Sequence, residues 1–311
     1  MSGQTERAPF ADMFTPKLVS VWREGYRLEH LRADVVAGLT VAIVALPLSM
    51  AIAIGSGAKP EHGLIASVIG GFLISALGGS RFQIGGPAGA FIVLVAATIG
   101  RYGYEGFLLA TLMAGFLLLA IGNLRLGVYI KYIPHPVVVG FTSGIGVIIF
   151  AGEIKDFFGL KLAAEPGPLV PKLQALWAAA PTFDPTTTAM GCACLATILI
   201  LRRVAPRFPG LLAAVVLAAL ATWGLELPIE TIGSRFGGIP QSLPTPRVPD
   251  ASVDLVLQLV PAAVALAVLG GVESLLSAVV ADGMTGRRHR SNCELVAQGW
   301  GNIASALFGG L

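Results

Sequence analysis

Residues 81–91 read Arg81-Phe82-Gln83-Ile84-Gly85-Gly86-Pro87-Ala88-Gly89-Ala90-Phe91, and an apolar run then carries the chain to Gly100. The first four residues have the pattern of a short strand, after which glycine and proline stand where a continuous membrane span would have its middle. A helix that begins at Pro87, a residue suited to a first helical turn, and ends near Gly100 is too short to cross a hydrocarbon core of about 30 Å. The stretch therefore predicts a short strand followed by a half-helix whose N-terminus lies deep in a bilayer.

The rest of the chain agrees with a bilayer. Hydrophobic residues make up 55% of it, charged residues only 13%, and the mean hydropathy is +0.78, a balance that leaves too little charge to cover a soluble surface. Charge-free runs recur at 35–58, 62–80, 82–100, 106–124, 132–152, 185–201, 208–225, 255–272 and 295–311, most of them near the roughly 20 residues a spanning helix needs. The fold class is thus an all-α polytopic membrane protein.

Residues 1–33 form an amphipathic lead-in, with Phe14, Leu18, Val21, Trp22, Tyr26 and Leu28 recurring at helical spacing among charges. Arg23, Arg27, Arg32 and Asp34 precede the first apolar run, and basic residues also gather at Arg202, Arg203, Arg287, Arg288 and Arg290. That bias places the N-terminus in the cytoplasm of a multi-pass protein of the cell (plasma) membrane, with no signal peptide ahead of it. The net charge of +3 suits anionic lipid head groups and calls for no nucleic acid. Cys192, Cys194 and Cys293 have no Cys/His partners at metal-ligand spacing and read as packing residues, so no metal, disulfide or cofactor is expected.

Two features carry chemistry. Irregular backbone at membrane depth survives only in a protein interior or a cavity wall, so the break at 85–89 has one of two purposes. Either its small residues let helices pack closely, or the N–H groups of Ala88, Gly89, Ala90 and Phe91, without intrahelical acceptors and at the positive end of the helix dipole, bind an anion. The second feature is Glu273, the one ionisable residue between Asp254 and Asp282. A carboxylate there is costly when charged, which makes it a candidate proton or ion carrier, with Ser277 one turn further on the same face. Pro47 and Ser49 in the first apolar run mark a local unwinding that would turn Ser49 toward the same site. No catalytic constellation lies inside the spans, and an enzyme is not expected.

A faint repeat relates 71–79 to 301–310, offset by about 230 residues, and repeats with interrupted helices are a sign of secondary transporters. The chain also resembles the sulfate permease (SulP) family of anion transporters and exchangers. The resembling residues are Ala37-Gly38-Leu39-Thr40 with Pro47-Leu48-Ser49, Gly79-Ser80-Arg81-Phe82 with Gly86-Pro87, and Gly140-Phe141-Thr142-Ser143-Gly144. Further on come Ile154-Lys155-Asp156-Phe157, Glu273-Ser274-Leu275-Leu276-Ser277 and Ala281-Asp282-Gly283-Met284-Thr285-Gly286.

The resemblance implies two inverted seven-span repeats, of which this chain holds the first and part of the second. It implies a core domain from 34–125 and 251–311, a gate domain from 126–250, and an anion held between two half-helices in the third and tenth spans. Glu273 matches the eighth-span coupling position, where Glu points to protons and Asp to sodium. The implied substrates are sulfate, dicarboxylate or bicarbonate, carried by symport or exchange, with a homodimer among the expected assemblies. By the same resemblance the sequence stops where the tenth-span half-helix should begin, and the remaining spans and a cytoplasmic STAS domain are expected beyond it. The other readings are an uncoupled channel or exchanger and a non-transporting fragment.

Overall fold

A computed structural model describes residues 13–132, 135–162, 169–205, 208, 210–238 and 242–311. All regular structure among them is helical. In chain order the helices are α1 (Lys17–Arg23), α2 (Leu28–Gly55), α3 (Pro60–Leu77, with a π turn at Ala66–Gly70) and α4 (Ile92–Asn123, entered through a 3-10 turn at Gly89–Phe91). Then follow α5 (His135–Phe157), α6 (Leu169–Ala178), α7 (Pro185–Val204), α8 (Gly210–Gly224), α9 (Ile232–Phe236), α10 (Val253–Thr285) and α11 (Ser291–Leu307).

Five stretches among the described residues are long and apolar enough to cross a membrane: Leu28–Gly55, Pro60–Leu77, Gly89–Asn123, Pro185–Val204 and Val253–Thr285. Large apolar side chains on them and on α5 and α8 point outward, with Phe72 71% exposed, Phe150 72% and Trp223 81%. Outward apolar bulk on this scale suits acyl chains rather than water.

Two local expectations change. Residues 81–88 run without regular structure instead of opening as a strand, because a strand needs a second extended segment to pair with and the described residues supply none. The first span does not unwind at Pro47 either. α2 continues through that proline, since one missing amide removes a single ladder bond and membrane helices tolerate that loss.

The chain gathers into two compact units, one from the described parts of Met1–Ala33, Ser49–His135 and Gln241–Leu311, the other from Asp34–Leu48 and those of Pro136–Pro240. The first has its core where Phe107, Leu108 and Leu118 of α4 meet Leu259 and Leu266 of α10 and Leu295 of α11. Within bilayer-spanning proteins such contacts are held by close packing more than by exclusion of water, and small residues set the approach. In the second unit α7 packs on α8, and Asp184 caps α7 by accepting from the amides of Thr186 (3.0 Å) and Thr187 (3.3 Å).

α4 is broken at Gly103, whose φ of 71° and ψ of 175° are closed to residues with a side chain. The segment from Ile92 to this break is roughly a dozen residues, about 18 Å long, and it cannot span a bilayer alone. The half-helix expected from the sequence is therefore present. It begins at the turn Gly89–Phe91 and not at Pro87, because Ala88 is still extended (φ −123°, ψ 142°).

Candidate functional site

The first turn of a helix leaves amides without intrahelical acceptors, and at this half-helix no side chain supplies them, since Ala88 stands at the N-cap and makes no side-chain cap. Phe91 N–H donates to Ala88 C=O at 3.0 Å, closing the 3-10 turn. Its amide is thus already used, and the donors left without a partner among the described residues are those of Ala88, Gly89 and Ala90. Phe91 contributes its ring instead, which lies against Gly270 of α10.

In front of this turn lies a cavity of about 210 Å³. Its walls come from the irregular segment that leads into the half-helix (Gln83 to Ala88) and from Phe91, from Glu273, Ser274 and Ser277 on α10, and from Gln298 and Asn302 on α11. Ala88, Phe91, Glu273 and Ser277, singled out from sequence, thus meet on one cavity, and Gly89 and Ala90 form the turn that joins the first two. Ser49 is not among the lining residues: it is 3% exposed and its hydroxyl is bonded to that of Ser67.

The Glu273 carboxyl makes no hydrogen bond or ion pair with a described residue, although it sits on a spanning helix. Ser277 Oγ donates to Ser274 C=O at 3.0 Å, leaving its lone pairs free to accept. A carboxyl without a protein partner, beside amides without acceptors, makes a site suited to holding a small anion and a proton together.

Behind the wall stands Glu294, bonded to wall residue Ser274 and through it to Gln83 and Gln298, a set the sequence does not reveal. Glu294, in the first turn of α11, is 1% exposed, and its Oε2 accepts from the amides of Gly79 (2.8 Å) and Ser80 (3.2 Å). Its Oε1 accepts from Ser274 Oγ at 3.4 Å, and Ser274 Oγ in turn accepts from Gln83 Nε2 and Gln298 Nε2, each at 3.0 Å. The signal available in the sequence was the spacing of Glu294 and Gln298, one turn apart on a single helix face. Among the described residues no cluster of His, Cys, Asp and Glu could hold a metal.

The profile of the Sulfate permease family matches residues 31–311. The chain belongs to the sulfate permease family. Over 289 residues it is 42% identical to YvdB of Bacillus subtilis, a candidate sulfate transporter, covering 93% of this chain and 54% of that protein. The solved transmembrane domain of a cyanobacterium bicarbonate transporter, BicA, superposes with a TM-score of 0.79 at 34% identity, over 92% of this chain and 74% of that one. The murine anion transporter Slc26a9 in its inward-facing state shares the fold, with a TM-score of 0.83 at 18% identity over 99% of this chain and 56% of that one. These relatives are transporters and not enzymes. The chain spans about half the length of the relatives it matches in sequence. As a member of this family it is a multi-pass membrane protein.

Proposed function

We propose that the protein, at its natural full length, carries a small oxyanion across the plasma membrane by alternating access, with sulfate the foremost substrate and movement linked to protons. Dicarboxylate and bicarbonate are the other substrates this site would take. The observation that carries the reading is the meeting, on one cavity, of Glu273, whose carboxyl is unpartnered, with Ala88, the head of a turn in which the amides of Ala88, Gly89 and Ala90 are unbonded.

Charge couples the two ligands. The amides and the helix dipole supply the anion with hydrogen bonds and partial positive charge without a fixed cation. An ionised Glu273 on the same cavity repels that anion, strongly so where water is scarce. Protonation of Glu273 removes the repulsion, so proton and anion enter together and leave together, which is symport. Ser277 would orient the acid or a water beside it. In this reading the spans within 34–125 and 251–311 carry the substrate, those within 126–250 form the gate, and the N-terminus is cytoplasmic.

Uptake of radiolabelled sulfate into proteoliposomes under an imposed pH gradient tests the proposal. The wild-type protein should accumulate label with the proton gradient, and Glu273→Gln should abolish the pH-driven component. Undiminished pH-driven uptake by that variant would remove Glu273 from the mechanism, and wild-type flux indifferent to pH would make the protein an uncoupled exchanger or channel.

A further inference from the structure

Glu294 is the most deeply buried carboxylate among the described residues, and the transport reading gives it no task. It faces no cation. Both oxygens are instead engaged by neutral donors: two backbone amides from the segment that leads into the half-helix, and the hydroxyl of Ser274. An ionised acceptor makes such hydrogen bonds about twice as strong as a neutral one would.

The geometry around it is tight. A Cβ at Gly79 would lie 2.1 Å from Arg290 C=O, and Arg290 N–H donates to Gly79 C=O at 2.9 Å. A Cβ at Gly78 would stand 3.1 Å from Glu294 Oε2. The peptide at Gly79 is therefore gripped on both its polar groups by the first turn of α11 and the residue before it. Four residues further along, Gln83 donates to both Ser274 C=O and Ser274 Oγ, each at 3.0 Å. The Ser274 hydroxyl has one proton to give and two lone pairs to offer, and all three are used, by Glu294, Gln83 and Gln298. The lead-in segment is thus tied down at Gly79, Ser80 and Gln83, and the ties converge on Glu294 and on Ser274, the neighbour of Glu273. Because the donors of Ala88 to Ala90 hang at the far end of that segment, its position sets where they point.

We infer that Glu294 is a positioning residue of the anion site, fixing the half-helix donors through the Gly79–Ser80 amides and, by way of Ser274, through Gln83. The inference rests on the transport reading above. It assigns Glu294 to the placement of the anion and not to the movement of the proton, so its loss should appear in KM and leave the pH dependence where Glu273 sets it. Glu294→Gln keeps the volume but replaces one acceptor oxygen by an NH2 group, which cannot receive from the donors it would meet.

The test measures sulfate uptake against sulfate concentration, at several pH values, in proteoliposomes of the full-length protein. Glu294→Gln should raise KM by about tenfold to a hundredfold, the loss expected when hydrogen bonds to a charged group go, and Glu294→Asp, which retains the charge, should recover part of that loss. Ser274→Ala, a milder change that removes the hydroxyl joining Glu294, Gln83 and Gln298 and leaves Gln83 its bond to the Ser274 carbonyl, should raise KM by a smaller factor and carries the test if Glu294→Gln yields no folded protein. A fall in velocity or in folded protein at unchanged KM, in both Glu294→Gln and Ser274→Ala, would make Glu294 a structural anchor only and overturn the inference. Absence of anion uptake by the wild type would instead overturn the transport reading and this role along with it.

Discussion

Gly115 of α4 and Gly299 of α11 lie in backbone contact: a Cβ at Gly115 would stand 2.9 Å from Gly299 C=O, and one at Gly299 would stand 2.8 Å from Gly115 C=O. Neither carbonyl can retreat without moving its helix. α11 contributes Gln298 and Asn302 to the cavity wall and α4 contributes Thr111 and Ala114, so this crossing holds together two helices that line the cavity. Gly115→Val should force the helices apart and destabilise the protein by roughly 1–3 kcal/mol or more. Unfolding followed in detergent checks this, and a variant as stable as the wild type would show that the crossing is not tightly packed.

Asp184 gives a prediction with a pH dependence outside the spans. The hydroxyl of Thr187 above all, and the amides of Thr186 and Thr187, hold its carboxyl below the ordinary carboxylate value of 3.8. A carboxyl whose value is depressed by folding stabilises the folded state above the ordinary value and loses that contribution as pH falls through the depressed one. Asp184→Ala should therefore be less stable than the wild type at neutral pH, and the gap should narrow on acidification below about pH 4. Thermal unfolding of both proteins across that range is the measurement, and a gap independent of pH would contradict the cap.

Gly89 offers a way to delete one anion donor by changing a single residue. Proline at Gly89 removes the amide proton, yet the position accepts proline on two counts: it opens a helical turn, and the preceding residue, Ala88, already has the extended backbone that a following proline imposes. Gly89→Pro should keep the fold and weaken anion binding by roughly tenfold, the worth of one hydrogen bond to a charged group. Binding measured by calorimetry on the purified protein checks it, and unchanged affinity would remove the Gly89 amide from the site.

Much of this was legible in the sequence, for physical reasons that differ from residue to residue. The spans show themselves because a bilayer tolerates so little charge, and the break at Gly85–Gly86–Pro87 because no helix would place those residues mid-span. Glu273 stood out for the same reason, as a lone carboxyl in an apolar run. The sequence points to a half-helix starting at Pro87, two residues early, because proline's fitness for a first turn says nothing of whether the chain is still extended there, as it is at Ala88. The place of Ser49 beside Pro47 points it toward the site, but a hydroxyl on a helix that does not unwind is turned by the helix itself, and here it meets Ser67. Glu294 escaped notice because, in sequence, it stands beside Arg290 like any charge at a helix end. Its burial depends on amides at Gly79 and Ser80, more than two hundred positions earlier, which no local pattern encodes.

Transport as proposed depends on an anion held by the amides at the head of the half-helix. A structure of the full-length protein with selenate, a heavier analogue of sulfate located by anomalous scattering, tests that most directly. The selenium should lie in the cavity, with selenate oxygens about 2.8–3.0 Å from the amide nitrogens of Ala88, Gly89 and Ala90. Selenium located elsewhere in the protein, with those three amides left unoccupied, would contradict it.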